Sequence, residues 1–463
     1  MSVTTARTPL LRPRRTTELA TRLVRSAAHH RQGSKLRTAD FGAWLAERRR
    51  AHRFQVRRIP FSRLEGWSFE DATGNLVHGT GRFFTVEGLR VTVDEGRFPA
   101  WQQPIIRQPE IGILGILVKE FDGVLHFLMQ AKMEPGNPNA LQLSPTVQAT
   151  RSNYTKAHRG EDVKYLEYFT RPGRGRVHVD VLQSEHGAWF LRKANRNMLV
   201  EATGEVPLDD DFCWLTLGQI GRLLREDNLV NMDSRTVLAC LPSLGGGTDA
   251  LHPDTELLSW LTAERSRPEV RAERIPLAEV SGWERGDRSV HRPDGRYFSV
   301  VAVAVEAGNR EVTSWTQPLL EPHGLGVVAF LTRRIGGMPH LLVHARLEGG
   351  FLGSLELAPT VQCVPDNYPR ASDRPRYLDL VLAAGPDRIR YEAVHSEEGG
   401  RFRHAQSRYL FVDVDEDQVP CEPAPGYLWV TPGQLAALTR HPHYVNVQAR
   451  SLLACLASGA AHL

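Results

Sequence analysis

The chain has 463 residues, of which 41% are hydrophobic, and a net charge of +4. This length implies more than one domain, each large enough to bury a core. The sequence shows no apolar run of the roughly 20 residues that a membrane span needs and no apolar segment typical of a secretory signal. Its five cysteines have neither metal-ligand nor disulfide spacing, which favours a reducing compartment. We therefore expect a cytoplasmic protein with no membrane partner.

The N-terminal region is strongly basic. Residues 1–58 hold 15 Lys and Arg against three acidic residues. Such an arm can bind nucleic acid, and a nucleic-acid-binding protein is one possible function. However, arginine outnumbers lysine 51 to 6 in the whole chain, so coding bias can account for a basic patch. We expect residues 1–39 to be a poorly ordered leader with no nucleic-acid partner.

The tryptophans indicate an internal duplication. Eight of the nine form four pairs that are 214 to 216 residues apart. These pairs are Trp44 with Trp260, Trp67 with Trp283, Trp101 with Trp315, and Trp214 with Trp429. A period of this length exceeds that of solenoid repeats. We therefore predict two copies of one domain, at residues 40–242 and 255–463, joined by a Gly-rich linker.

The predicted elements occur in the same order in both copies. Helices are expected at residues 41–52, after Asp40 as the N-cap, and at residues 255–264. Strands begin near Gly81 and Gly295, and apolar hairpins follow at 111–132 and 325–346. Their turns are Asp122-Gly123 and Gly336-Gly337. Each copy ends with a helix. Long βαβ units are not evident, so the predicted class is α+β with mixed or antiparallel sheets.

The most similar segments follow the hairpins. Copy one reads LQLSPTVQATRSNY from Leu141, and copy two reads LELAPTVQCVPDNY from Leu355. Polar groups just beyond a rigid hairpin are typical of binding sites. The matched polar pairs are Lys132 and Arg346, Glu134 and Glu348, Gln148 and Gln362, Asn153 and Asn367, and Tyr154 and Tyr368. Because both copies keep them, a purely structural role is equally open for any one of them.

The differences between the copies favour copy one as the working site. Its Thr150-Arg151-Ser152 can hold phosphate oxygens through charge-assisted hydrogen bonds, whereas Val364-Pro365-Asp366 cannot. Copy two would then be a scaffold, a partner or a weakened second pocket. There is no P-loop, no dinucleotide fingerprint and no His-Glu-x-x-His motif. His340 and His344 lie on a strand pattern, so we expect no metal and no cofactor.

Several strings occur in both copies in similar form: Gly-Arg-Phe-Phe, Trp-x-Gln-Pro, and Ser-Pro-Thr-Val-Gln-Ala-Thr-x-Ser-Asn-Tyr. Together with Glu-Pro-Gly, they resemble the NDP-hexose 2,3-dehydratase family over about residues 40–460. The resemblance implies a dTDP-4-keto-6-deoxy-D-glucose substrate, a duplicated Nudix-like fold and a homodimer. It also implies a downstream NADPH-dependent 3-ketoreductase as a functional partner. The acidic metal box of Nudix hydrolases does not follow in either copy, so we expect neither a required metal nor hydrolysis.

Dehydration of a 4-keto sugar needs a base, an acid and a partner for the enolate oxygen. We assign these roles to Glu134, Tyr154 and Lys132, respectively, although the three are interchangeable on sequence grounds. Substrate-binding candidates are Gln148, Thr150, Arg151, Ser152, Asn153 and Arg403, with the aromatic side chains Trp67, Trp283 and Trp315. The competing functions are a nucleotide-sugar pyrophosphohydrolase and a non-catalytic sugar-nucleotide-binding protein.

Overall fold

The structure is a computed structural model that describes residues 18–94, 99–150, 163–242, 249–308 and 313–463. No helix in these ranges is long and apolar enough to cross a membrane. The helices before the linker are α1 (Glu18–Ala28), α2 (Thr38–Ala51), α3 (Glu167–Thr170), α4 (Leu217–Leu223) and α5 (Met232–Leu238). Those after it are α6 (Asp254–Ser266), α7 (Leu378–Leu382), α8 (Pro432–Leu438) and α9 (Val447–Ala457).

The strands fall into two matching sets. The first set is β1 (Phe54–Ile59), β2 (Trp67–Phe69), β3 (Leu76–His78), β4 (Thr85–Val93), β5 (Ala100–Arg107), β6 (Ile113–Phe121), β7 (Val124–Met133), β8 (Leu141–Ser144), β9 (Val147–Ala149), β10 (Gly175–Ser184), β11 (Ala194–Ala202) and β12 (Phe212–Thr216). The second set is β13 (Val270–Ile275), β14 (Glu284–Arg285), β15 (Ser289–His291), β16 (Phe298–Ala307), β17 (Ser314–Pro322), β18 (Gly326–Ile335), β19 (Met338–Leu347), β20 (Leu355–Ala358), β21 (Val361–Cys363), β22 (Ile389–Ser396), β23 (Gln406–Asp413) and β24 (Tyr427–Val430).

Each copy forms a seven-stranded sheet and four strands of a five-stranded sheet. The larger sheets contain one parallel pair each, β6 with β11 and β18 with β23, while their other pairs are antiparallel. The hairpins turn at the predicted residues: Asp122 and Gly123 have φ of 51° and 75°, and Gly336 and Gly337 have 58° and 81°. Two-residue turns of this kind require positive φ. The α+β class with mixed sheets and the duplication are both confirmed.

The copies exchange strands. Strand β1 of the first copy pairs with β16 of the second, and β13 of the second pairs with β4 of the first. The two five-stranded sheets share an apolar cluster that includes Trp67, Phe84 and Phe298. Each copy therefore completes a sheet of the other, and loops from both copies meet at the ends of β7 and β19.

The start of the described chain differs from the expected poorly ordered leader. Helix α1 buries Leu19 and Leu23 in the main core. Its Arg22 makes ion pairs with Glu120 and Glu201. These partners lie far along the chain, so local composition could not reveal them. Helix α2 begins at Thr38, two residues before the predicted N-cap.

Two buried arginines tie the final helices of the copies to each other's turns. Arg235 on α5 donates to Ser396 O at 2.7 Å, and Arg450 on α9 donates to Ser184 O at 2.5 Å. Both guanidinium groups are fully buried, and each bonds a backbone carbonyl of the other copy. The residues that follow Ser184 and Ser396 are therefore held firmly at the boundary between the copies.

Candidate active site

The first copy's Glu-Pro-Gly turn, directly after β7, presents a buried carboxyl group. Glu134 is 4% exposed, and its Oε1 accepts a hydrogen bond from Gln148 Nε2 at 2.8 Å. Lys132 Nζ lies 3.8 Å from the same oxygen. Glu134 Oε2 has no hydrogen-bond partner among the described residues. One oxygen thus accepts a hydrogen bond and lies near a positive charge, while the other can accept a proton.

The side-chain amide of Gln148 is oriented by two neighbours. Its Oε1 accepts hydrogen bonds from Ser144 Oγ at 2.9 Å and from Asn231 Nδ2 at 3.4 Å. Because the oxygen is engaged there, the amide turns its N–H groups towards Glu134. Asn231 is itself fixed, since it caps α5 through the backbone N–H of Ser234. Strand β8, strand β9 and helix α5 therefore position the carboxylate together.

The second copy closes over this turn with its Ser-Glu-x-Gly segment. Gly136 donates its N–H to Gly399 O at 2.7 Å, and His404 donates its N–H to Gly136 O at 2.7 Å. A Cβ on Gly136 would collide with the carbonyl oxygen of Phe402. Backbone from both copies therefore meets at a point where only glycine fits.

This contact brings a second carboxyl group, that of Glu398, beside Glu134. Oxygen atoms of both side chains lie within 4 Å of the position that a Cβ on Gly400 would take. Glu398 Oε1 accepts the N–H of Gly400 at 2.8 Å, and its Oε2 has no hydrogen-bond partner in the described parts of the chain. Burial, together with the charge of Glu134, raises the pKa of Glu398 to about 7, because neighbouring carboxylates resist ionising together.

Two further buried groups contribute to the electrostatics of the site. Burial raises the pKa of Asp233, which is 2% exposed, well above its usual range, and the charges of Glu185 and Glu398 add to this effect. Burial lowers the pKa of the Lys193 ammonium to about 8. A carboxylate held by donors thus lies near carboxyl groups whose environment favours the protonated form. This difference between neighbouring carboxyl groups is what combined acid and base catalysis requires.

The second copy repeats the inner part of this arrangement around Glu348. Gln362 Nε2 donates to Glu348 Oε1 at 3.0 Å, and Arg346 Nε donates to the same oxygen at 2.8 Å. Asn446 Nδ2 donates to Gln362 Oε1 at 2.7 Å. The two glutamates therefore have matching immediate partners, apart from the replacement of lysine by arginine.

The outer ionisable groups differ between the copies. The position that matches Glu398 holds His186, whose Nε2 bonds Glu397 Oε2 at 2.9 Å. The position that matches Asp233 holds Gln448, and the one that matches Lys193 holds Ala405. Neither amide nor methyl group titrates, so the two copies do not offer the same acid–base chemistry.

The predicted polar residues are only partly brought together. Lys132 and Gln148 both contact Glu134, as described above. Thr150 is half-buried just beyond β9, at the end of a described range. The remaining predicted residues of this motif lie outside the described residues: Arg151, Ser152, Asn153 and Tyr154.

Two of the predicted aromatic contacts pack between the small sheets. Trp67 is 8% exposed, with its ring centroid 4.8 Å from that of Phe84. Trp283 packs against Phe298 in the same way at 4.7 Å, and its Nε1 donates to Gln102 O at 3.2 Å. Packing between the small sheets is therefore a sufficient structural role for both tryptophans. Stacking on a substrate stays a prediction for both.

Trp315 and Arg403 lie closer to the turn that carries Glu398. Trp315 Nε1 donates to Gln317 Oε1 at 2.8 Å, and Gln317 Nε2 donates to Gly400 O at 2.8 Å. Arg403 pairs with Glu321, and its Nε has no hydrogen-bond partner among the described residues. Both side chains thus belong to the second-copy wall of this region, and their contact with a substrate stays a prediction.

Sequence reasoning missed Asp233 and Glu398. A signal for both was present, since each occupies a position where otherwise similar segments of the two copies differ. Asp233 follows an Asn that recurs as Asn446, and Glu398 occupies the variable place in Ser-Glu-x-Gly. Their distance from the Gln148 motif along the chain concealed their proximity to it.

The histidine pair considered as a metal site has other partners. His340 Nε2 accepts the backbone N–H of Leu251 at 3.0 Å. The His344 ring stacks on Tyr427 with centroids 4.5 Å apart. In the part of the chain that the structure describes, no group of three or more His, Cys, Asp or Glu side chains is arranged to hold a metal ion.

Known proteins resemble this chain over most of its length. The family model described as NDP-hexose 2,3-dehydratase matches twice, over residues 38–241 and 254–456. A dTDP-4-dehydro-6-deoxy-alpha-D-glucopyranose 2,3-dehydratase of Amycolatopsis orientalis is 61% identical over 97% of this chain and 96% of its own length. Proteins of the same name from Saccharopolyspora spinosa and Streptomyces violaceoruber are each 53% identical, covering 91% and 90% of the chain and 91% and 97% of their own lengths. The double match has the same two-copy layout as the sheets, and we conclude that the chain belongs to the NDP-hexose 2,3-dehydratase family.

Proposed function

We propose that this chain is a hydro-lyase that removes water across C2 and C3 of dTDP-4-keto-6-deoxy-D-glucose, a step in the biosynthesis of deoxysugars for natural products. The observation that supports it most is the identity of 53% to 61% with three dehydratases that carry the name of this substrate. The buried Glu134 with one oxygen available supplies a base for the reaction. The pyrophosphohydrolase and binding-protein alternatives are not carried forward, because the relatives give them no support.

The reaction begins at C3, whose proton is acidified by the C4 ketone. Glu134 takes this proton on Oε2, the oxygen without a partner among the described residues. Lys132 lies beside the carboxylate and offers positive charge to the enolate oxygen at C4. Expulsion of the C2 hydroxyl gives an enol, which becomes the 3,4-diketo-2,6-dideoxy sugar. This chemistry needs only acid, base and charge.

The nucleotide part of the substrate is assigned to the motif that follows β9. Thr150, Arg151, Ser152 and Asn153 supply donors suited to a diphosphate. Arg403 adds a cation from the second copy. Trp315 and the more deeply packed Trp67 and Trp283 are aromatic candidates for stacking on the thymine ring of the nucleotide. Tyr154 is a candidate proton donor.

The proposal includes a scaffold and partners that follow from the family resemblance. The duplicated unit would be a Nudix-like domain in which the usual acidic metal box is missing. The enzyme would be a cytoplasmic homodimer that needs no metal or cofactor. A downstream NADPH-dependent 3-ketoreductase would consume the diketo product, which is too reactive to accumulate.

The proposal is tested by incubating the purified protein with dTDP-4-keto-6-deoxyglucose. Reactions are run with and without a 3-ketoreductase and NADPH. We expect a dTDP-2,6-dideoxy sugar only when the reductase is present. Recovery of unchanged substrate in both reactions would contradict the proposed dehydration, and release of dTMP would instead indicate hydrolysis.

The assignment of the base has a matched control within the chain. Glu134→Gln should lower the rate of dehydration by about 100-fold or more and leave dTDP binding intact, since the amide keeps the size of the side chain. Glu348→Gln, the same change in the second copy, should leave the rate nearly unchanged. Full turnover by Glu134→Gln would show that another group is the base.

A further inference from the structure

We propose that Glu398, a residue of the second copy, is the general acid that protonates the departing C2 hydroxyl in the site of the first copy. The inference rests on the proposed dehydration and deepens it. It makes the active site a joint product of the two copies, with the base from one and the acid from the other.

Position is the first argument for this role. Glu398 and Glu134 place carboxylate oxygens within 4 Å of the same point above Gly400. The hydrogen bonds between Gly136 and Gly399 and between His404 and Gly136, both 2.7 Å long, fix one turn against the other. A base and an acid whose carboxyl groups lie this close together can act on neighbouring carbons of a sugar ring.

The state of the Glu398 side chain is the second argument. Its Oε1 is held by the N–H of Gly400 at 2.8 Å, while Oε2 is buried without a hydrogen-bond partner among the described residues. An atom in this state suits a proton that is to be donated. Asp233 also has an oxygen, Oδ1, that is buried without a partner among the described residues. Glu398 differs from Asp233 in lying on the second-copy turn, where its carboxyl group shares the space beside Gly400 with Glu134.

The comparison between copies is the third argument. The inner partners of the base recur in both copies, as Gln148 and Gln362 show. The acid does not recur, because His186 occupies the position that matches Glu398 and is bonded to Glu397. In the first copy's site the carboxylate base Glu134 therefore has a carboxyl acid as its neighbour. The position that matches this acid in the other site holds the imidazole of His186.

The proton balance of the reaction closes with these two groups. Glu134 removes the C3 proton, the C2–O bond breaks with its electron pair on oxygen, and Glu398 donates a proton so that water leaves. The product at this stage is an enol with its hydroxyl at C3. Two protons are then redistributed, that of the enol hydroxyl and that held by Glu134. One goes to C2, which completes the ketone at C3, and the other returns to the Glu398 carboxylate. No oxidant, reductant or outside proton is consumed.

A substrate with a different leaving group separates the acid from the base. In dTDP-4-keto-2,6-dideoxy-2-fluoroglucose the C2 hydroxyl is replaced by fluorine. Fluoride is a far weaker base than hydroxide and departs without protonation. Glu398→Gln should lower hydroxyl elimination by about 100-fold or more but keep fluoride release within about fivefold of wild type. Glu134→Gln should lose both reactions.

Three controls make the outcome decisive. Binding of dTDP to Glu398→Gln, measured by calorimetry, shows that the variant is folded. Exchange of the C3 proton with deuterium from solvent should persist in Glu398→Gln and disappear in Glu134→Gln. Tyr154→Phe tests the competing donor and should not show a loss of hydroxyl elimination that leaves fluoride release intact.

The inference is overturned if folded Glu398→Gln eliminates the hydroxyl at the wild-type rate. It is also overturned if that variant loses fluoride release and C3 exchange as well, or if Tyr154→Phe alone shows the fluoride-selective pattern. A wild-type protein that processes neither substrate would instead contradict the proposed dehydration. The failure of the two proposals can therefore be told apart.

Discussion

Replacing Gly136 by alanine tests whether the contact between the copies supports both stability and catalysis. The added Cβ would overlap the carbonyl oxygen of Phe402 and lie 2.7 Å from that of Gly399. Because both neighbours are backbone atoms, the turn has to move. Gly350 has the same situation in the other copy, where its Cβ would meet the carbonyl oxygens of Phe190 and Gly187.

The cost of this change can be estimated from the contacts. Moving the turn weakens the two 2.7 Å hydrogen bonds of Gly136, worth about 1 kcal/mol each, and overpacking adds roughly 1–3 kcal/mol. The sum is about 3–5 kcal/mol of unfolding free energy. For a chain of 463 residues that unfolds as one unit, this corresponds to a fall in Tm of about 3–5 °C.

The two alanine variants should differ in activity. Gly136 is two residues from Glu134, so its displacement should lower kcat by about 10- to 100-fold. Gly350 is two residues from Glu348, and its replacement should lower Tm similarly while kcat changes little. Calorimetry and the coupled ketoreductase assay measure the two quantities, and Gly353→Ala, whose Cβ would have no neighbour within 4 Å, is the neutral control. Equal losses of kcat in Gly136→Ala and Gly350→Ala would refute the assignment of the active site to the first copy.

Three other outcomes follow from the structure. Because the pKa of Glu398 is about 7, hydroxyl elimination should fall roughly 25-fold between pH 6.5 and 8.5 as the acid loses its proton, whereas fluoride release should not. A flat profile of kcat/KM against pH for both substrates would contradict this. Gly42→Ala in exposed helix α2, where a Cβ meets nothing within 4 Å, should add about 0.5–1 kcal/mol of stability, and an unchanged or lower midpoint in urea would speak against it. Arg235→Leu should cost about 2–6 kcal/mol, at about 1–3 kcal/mol for each buried acceptor that loses its donor, because Arg235 donates to the carbonyls of Val230 and Ser396. A loss below 1 kcal/mol by denaturant titration would show that these bonds are replaced.

Much of the fold could be predicted because the chain repeats itself. Tryptophans in register identified the two copies, and the glycines at 123, 336 and 337 identified the hairpin turns through their need for positive φ. Helix α1 was not predicted because the residues that it contacts, Glu120 and Glu201 among them, lie about 100 and 180 residues away. The exchange of β1 and β13 also left no local trace, since a strand's own pattern does not name its partner.

The candidate site likewise has a part that could be predicted from local sequence and a part that could not. The sequence by itself determined that Lys132, Glu134 and Gln148 were site candidates, since all three lie at the end of one hairpin or in the motif that follows it. Only the tertiary structure decided that Glu398, 264 residues beyond Glu134, shares that space. The physical reason is the close approach at Gly136, where backbone from both copies packs with no room for a side chain. Sequence periodicity reports what each copy buries within itself, whereas the pairing of an acid with a base depends on how the two copies pack together.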